Sequence, residues 1–155
     1  MNLSLRPARP EDQAFLFELY ASTRAEEMAA WGLDASQQEL FLKLQFTAQQ
    51  QSYQAQFPES THQIICLEGQ PVGRLIVNRT QNEIRLVDIA LLPPNRNRGL
   101  GTQLIENLLA EAKAAGKPVR LHVLAGSPAL ALYRRLGFSI IQETPPYLQL
   151  EANPQ

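Results

Sequence analysis

The chain has 155 residues, a length that suits a single domain over 1–155. Its 45% hydrophobic and 19% charged residues allow a sizeable core, and 14 basic against 15 acidic residues give a formal charge of −1, which leaves no general basic footprint for nucleic acid. No apolar run reaches the ~18 residues of a membrane span, the opening MNLSLRPARPED turns charged too early for a secretory signal, and the single cysteine, Cys66, has no partner for a disulfide, so a cytoplasmic protein without membrane attachment is expected.

In chain order, LSLRPA alternates apolar and polar residues and predicts a short strand. Pro10-Glu11-Asp12 starts a helix, proline being tolerated in a first turn and acidic groups suiting the positive end of the helix dipole. Phe15, Leu16, Leu19 and Tyr20 follow at helical spacing. Asp34 or Ser36 caps a second helix carrying Leu40, Phe41 and Leu44 and ending near Ala55. Its end, from Gln45 to Gln56, is glutamine-rich and suits an exposed surface. Three strand-like runs come next, Gln63 to Leu67, Val72 to Asn78 and Ile84 to Leu92, the first two joined tightly through Glu68-Gly69-Gln70. Cys66 sits in the apolar run IICL and reads as a buried structural thiol. A third helix starts near Gly99 and stops at Gly116, Val119 to Leu124 is a strand, and Ser127-Pro128 opens a fourth helix ending at Leu136-Gly137. Phe138 to Gln142 and Tyr147 to Leu150 are closing strands, and Pro93-Pro94 and Pro145-Pro146 mark strand ends or bulges. The order βααβββαβαββ predicts an α/β fold, with a mixed central sheet of about seven strands and four helices on both faces.

The most informative stretch is DIALLPPNRNRGLGTQLIENLLAEAKAAG, an apolar strand, a polar loop and a strongly periodic helix. Glycines let a backbone approach a ligand closely. The amides of a helix's first turn are unpaired, and the helix dipole favours an anion there. Arg96 and Arg98 add charge for phosphate oxygens, and Thr102 adds a hydroxyl. Asn97, Gly99, Leu100 and Gly101 complete a candidate pyrophosphate site. The segment lacks the lysine and spacing of a P-loop and the third glycine of a dinucleotide fingerprint. Taken alone, it also fits a plain strand-to-helix turn with solvated arginines.

It is followed by ALALYRRLGFSII. Arg96-Asn97-Arg98-Gly99-Leu100-Gly101 resembles the Q/R-x-x-G-x-G/A loop of the GNAT N-acetyltransferases, with Ile89 to Pro93 as the preceding strand end. Tyr133, Leu136, Gly137 and Phe138 match that superfamily's second feature, and the element order matches too. The resemblance is strongest from Glu83 to Ile141. It implies an acyltransferase using acetyl-CoA as co-substrate and no metal, whose two central parallel strands, Ile84–Leu92 and Val119–Leu124, splay apart around the pantetheine arm. It implies backbone contacts at Ala90, Leu91 and Leu92, with an N–H near Leu91 polarising the thioester carbonyl. The pyrophosphate would lie on the amides of Arg98 to Thr102, and direct attack by the amine would need no nucleophilic side chain. Tyr133 matches the family's general acid for the leaving thiolate.

The incoming ammonium must also lose a proton. Asp88 lies inside the apolar run LVDIALL, where a carboxylate requires partners, and His122 lies on the expected neighbouring strand. An Asp88–His122 pair is therefore the candidate relay, its plain alternative being a structural hydrogen bond; Glu83 reads as a solvated strand-end charge. The chain departs from the family in Asn97, where glycine is common, in the second proline Pro94, and in Gly126, where many relatives have an asparagine that helps hold the coenzyme. Ser127, next to it, is a candidate helix cap and coenzyme contact.

In this superfamily the first two helices usually wall the acceptor site. Arg24 for a carboxylate, Glu27 for an ammonium, and Tyr20 with Trp31 as an apolar wall are the candidates, against core packing for the aromatics and a surface pair for the charges. A small-molecule amine is the expected acceptor; a protein N-terminus or lysine, a non-catalytic acyl-CoA-binding regulatory module, and a different donor such as succinyl-CoA are the alternatives. A monomer and a homodimer are both compatible with the C-terminal strand Tyr147 to Leu150.

Overall fold

A computed structural model describes residues 2–154. The elements are β1 (Leu3–Pro7), α1 (Gln13–Ala30), α2 (Ala35–Gln56), β2 (Thr61–Leu67), β3 (Gln70–Arg79), β4 (Ile84–Leu91), α3 (Leu100–Ala115), β5 (Val119–Leu124), α4 (Ala129–Arg135), β6 (Ser139–Thr144) and β7 (Tyr147–Ala152). Short 3-10 turns at Pro10–Asp12 and Pro93–Asn95 precede α1 and follow β4. The expected order βααβββαβαββ is the observed one. The strands hydrogen-bond in the order β1-β2-β3-β4-β5-β7-β6. β4 and β5 are parallel, whereas β1/β2, β5/β7 and β6/β7 are antiparallel, so the sheet is mixed. Among the described residues, no helix is long and apolar enough to cross a membrane.

The chain gathers into two compact units, Met1–Leu75 with Ile89–Arg96, and Ile76–Asp88 with Asn97–Gln155. In the first, Leu16, Tyr20, Met28, Leu42, Phe46, Ile64 and Cys66 form the core, and the Cys66 thiol is buried and free as expected. The turn into α1 is built on Asp12, whose carboxylate accepts two hydrogen bonds from Arg6 (2.8 and 2.9 Å) and one from the Arg9 amide (2.8 Å). The Arg6 guanidinium and the Arg9 amide, outweighing the burial that opposes them, hold the Asp12 carboxyl down at about 2. Asp34 caps α2 by accepting from the Gln37 amide, and the Gln37 side chain accepts in return from the Asp34 amide.

The phase of α2 differs from the sequence expectation. Leu40 and Leu44 are exposed, while Leu42 and Phe46, also four residues apart, are buried. The glutamines near its end are not all solvated: Gln45 accepts from the Tyr20 hydroxyl, Gln49 from Arg74, and Gln50 donates to Gln13. The β2–β3 connection works because Glu68 (φ 51°) and Gly69 (φ 80°) both take positive φ, as a two-residue hairpin matched to strand twist requires.

In the second unit α3 buries Leu100, Leu104, Ile105, Leu108 and Ala112, a helical stripe that packs on β5. Gly116 closes the helix in the left-handed conformation at φ 68°. β5 buries Val119, Leu121 and Val123 and turns Arg120, His122 and Leu124 to the other face. Pairing between β4 and β5 runs from Ile84↔Val119 to Leu86↔Leu121 and stops there, although β4 continues to Leu91 and β5 to Leu124.

Candidate active site

At the end of β4 the backbone is held from several sides. Gly73 on β3 passes so close to Ala90 that a Cβ there would collide with the Ala90 carbonyl oxygen and lie 2.9 Å from Leu91 Cδ2. The Leu92 amide donates to the Val72 carbonyl at 2.8 Å. Arg96 Nε donates to the Leu91 carbonyl at 2.9 Å, and its Nη2 reaches the Ser22 hydroxyl on α1 at 3.4 Å. Neighbouring amides of a strand point to opposite edges. With the Leu92 N–H spent on β3, the Leu91 N–H is directed to the other edge, where an incoming carbonyl can accept it. The Leu92 amide is thus already engaged within the fold, which leaves the Leu91 N–H as the donor of this stretch. Gly73 was not singled out from the sequence, although an isolated glycine inside the strand run VGRLIV is the signal for such a close approach.

The loop that follows leaves its backbone open. Asn97 adopts φ 60°, in the left-handed region that asparagine tolerates better than other residues with a Cβ. Glycine at this position is therefore dispensable. Gly99 caps α3 at φ 80° and brings no side chain to its first turn. The amides of Leu100, Gly101 and Thr102 have no carbonyl to meet within the helix, whose first bond is Gln103 N–H to the Gly99 carbonyl at 3.0 Å. A Cβ at Gly101 would meet nothing within 4 Å. Packing gives no reason for glycine there, and in a helix glycine costs roughly 0.5–1 kcal/mol against alanine. Uncovered amides, a positive helix end and an open surface at Gly101 fit a pyrophosphate.

Tyr133 on α4 is 8% exposed and packs edge-on against Phe138 with ring centroids 5.6 Å apart. Burial, reinforced by the negative charge of Asp88, pushes its phenol up to about 12. It stays protonated through the neutral range and can only donate to an anion nearby. Ser127 accepts from the Ala129 amide at 3.1 Å just ahead of α4, but the N-cap position is Pro128 and carries no side-chain cap, so the expected serine cap is not formed. Gly126 has open space at its Cβ position.

The expected Asp88–His122 relay is not formed. Residues in register on parallel strands share a face, so Ile84 and Leu86 face with Val119 and Leu121. Alternation carries Asp88 to that face and His122 to the opposite one. There His122 Nδ1 lies 3.0 Å from Arg85 Nη1. Partial burial, and then the Arg85 charge, lower its pKa, against a smaller opposing pull from Glu83. Glu83 is not a solvated end charge either. It accepts from Arg85 (2.6 and 3.2 Å) and Arg120 (3.2 Å), and Arg120 also pairs with Glu151 at 2.7 Å. Burial pushes the Glu83 pKa up, but the two arginines outweigh it and leave it lowered. It is a poor base, locked into a structural network.

The acceptor-wall candidates divide. Tyr20 belongs to the core, 8% exposed and 5.7 Å from the Phe46 ring, so it is not an open wall. Its hydroxyl accepts from Arg24 at 3.0 Å and donates to Gln45 at 3.3 Å. Arg24 and Glu27 pair with each other at 3.0 Å. Trp31 is 46% exposed and stands edge-on to Phe41 at 5.2 Å.

Residues 16–138 match the model of the acetyltransferase (GNAT) family. Among solved structures, the chain is similar to the PaiA N-acetyltransferase of Thermoplasma acidophilum in complex with coenzyme A, at 16% identity over 99% of both chains with a TM-score of 0.72. It is similar to an acetyltransferase from Thermus thermophilus, at 20% identity over 100% of this chain and 98% of that one, with a TM-score of 0.68. It is also similar to the ribosomal-protein-S18-alanine N-acetyltransferase of Escherichia coli, at 18% identity over 98% and 94%, with a TM-score of 0.64. At these identities the likeness is one of fold.

Proposed function

The chain belongs to the acetyltransferase (GNAT) family and is an acyltransferase, and from that premise we propose that it moves the acetyl group of acetyl-CoA to the primary amine of a small molecule by direct attack. The observation that carries this reading is the α3 terminus itself, capped by a glycine without a side chain and opened at Gly101, whose first-turn amides are left uncovered. The amides from Arg98 to Thr102 receive the pyrophosphate. The Leu91 N–H donates to the thioester oxygen as negative charge develops on it, an effect typically worth about 10²–10³ in rate. The neutral amine forms a C–N bond to the acetyl carbon, the C–S bond breaks, and the electron pair leaves on sulfur as thiolate. Tyr133 donates a hydrogen bond to that sulfur, which becomes the thiol by taking up, through solvent, the equivalent of the proton that the nitrogen gives up as the amide forms. Asp88, whose charge reaches Tyr133, is the carboxylate proposed to take the amine's proton, directly or through water. The small-molecule acceptor is an extension from the family, since Arg24 and Glu27 pair with each other along α1 and only Trp31 is left exposed. A cytoplasmic setting and a monomer or homodimer go with this proposal.

Titration calorimetry with acetyl-CoA, beside dephospho-CoA and NAD, tests the donor. A library of amines monitored for free thiol then tests the acceptor. Selective binding of acetyl-CoA with thiol release on at least one small amine is expected. Binding without release on any small amine or peptide would leave a regulatory module, and no binding by the folded protein would remove the proposal.

A further inference from the structure

We propose that Arg96 is a positioning residue that fixes the Leu91 amide for the thioester, and that its side chain is not a phosphate ligand. The inference rests on the acyl-transfer reading above. An arginine shortly before a helix's first open amides invites the phosphate role, since guanidinium pairs well with phosphate. The side chain is turned elsewhere. Nε holds the Leu91 carbonyl at 2.9 Å and Nη2 reaches Ser22 at 3.4 Å. The Ser22 hydroxyl itself donates to the Leu19 carbonyl at 2.7 Å, so its oxygen is fixed on α1 as an acceptor. The Leu91–Leu92 peptide is therefore gripped at both ends, its carbonyl by Arg96 and its N–H by Val72 at 2.8 Å. With that peptide plane fixed, and Ala90 packed on Gly73, the adjoining Ala90–Leu91 peptide has little freedom to rotate. The Leu91 N–H is thereby aimed before any ligand arrives. A preorganised donor acts on the transition state without reorganising, so loss of the grip falls on kcat.

The two roles separate by the length of the donor. Acetyl-pantetheine carries the thioester and the arm but no pyrophosphate. For Arg96→Ala, positioning predicts a fall of about 3- to 10-fold in kcat, the size of one lost hydrogen bond, equal for acetyl-CoA and acetyl-pantetheine. CoA affinity by calorimetry stays within about twofold. In the free protein, hydrogen exchange of the Leu92 amide speeds up. Arg96→Lys restores the charge but not the planar fork and recovers little. A phosphate ligand would give the opposite pattern: weakened CoA binding, an intact rate with acetyl-pantetheine, unchanged Leu92 exchange and partial rescue by lysine. That outcome overturns the proposal. Absence of turnover in the unsubstituted protein would instead strike the acyl-transfer reading, and the Leu92 exchange result would still decide the role of Arg96.

Discussion

The end of β4 and the loop after it are neighbours in sequence and opposite in construction. At Ala90 to Leu92 the backbone is held by Gly73, Val72 and Arg96, all brought there by folding. From Asn97 to Thr102 the chain does the reverse: two residues in left-handed conformations, a cap without a side chain and a glycine with nothing beside it leave the amides bare. The donor proposed to be aimed at one oxygen is clamped. The donors proposed to wrap a diphosphate are left uncovered. The first device depends on partners distant in sequence, whereas the second is almost wholly local.

Substitutions at the two glycines should break this contrast most visibly. Gly73→Ala forces a Cβ onto the Ala90 carbonyl oxygen, and we expect a loss of about 1–3 kcal/mol in stability from overpacking, with turnover down by about 10²-fold as the Leu91 donor is displaced. Thermal melts and steady-state kinetics read both. Gly101→Leu should do the converse: the fold gains roughly 0.5–1 kcal/mol from better helix propensity, while calorimetric affinity for CoA drops by at least about tenfold because a side chain longer than the alanine the motif tolerates occupies the approach of the ligand. If Gly101→Leu bound CoA normally, the open surface at this position would have no ligand to explain it. A smaller effect is expected at Asn97. Glycine there should be neutral, and valine should cost about 1–2 kcal/mol for a left-handed conformation with a branched Cβ, measurable by denaturant titration.

The subtlest test concerns the side chains beyond the backbone. Asp88→Asn removes the charge that helps raise Tyr133, so the phenol should ionise at lower pH than its present value of about 12. Ultraviolet titration of the tyrosinate reads this directly. If Asp88 is also the base, turnover at neutral pH falls as well. An unchanged tyrosine titration would show that the carboxylate does not act on Tyr133.

Legibility from sequence follows the same division. The α3 segment, its caps at Gly99 and Gly116, and β5 were readable because apolar period, glycine and strand length all point the same way over a short stretch. The motif residues from Arg96 to Thr102 were readable for the same reason, but the direction taken by the Arg96 side chain was not, because Ser22 lies 74 residues away. In α2, apolar residues occupy two faces, and only contact with α1 and β2 decides that Leu42 and Phe46 go inward and Leu40 and Leu44 outward. The Asp88–His122 pair failed on strand register: adjacent strands were foreseen, but a displacement of one residue reverses the face. The Glu83–Arg85–Arg120–Glu151 network was invisible because β4, β5 and β7 meet only in the folded sheet.

The account is tested most directly by amide chemical shifts of the isotope-labelled protein on titration with coenzyme A and then acetyl-CoA. It predicts the largest movements at the amides of Arg98 to Thr102 with either ligand, a further movement at Leu91 on going to acetyl-CoA, and a much smaller one at Leu92, whose N–H is spent on Val72. Saturable shifts that spare Arg98 to Thr102, or a Leu92 response larger than that of Leu91, would contradict it.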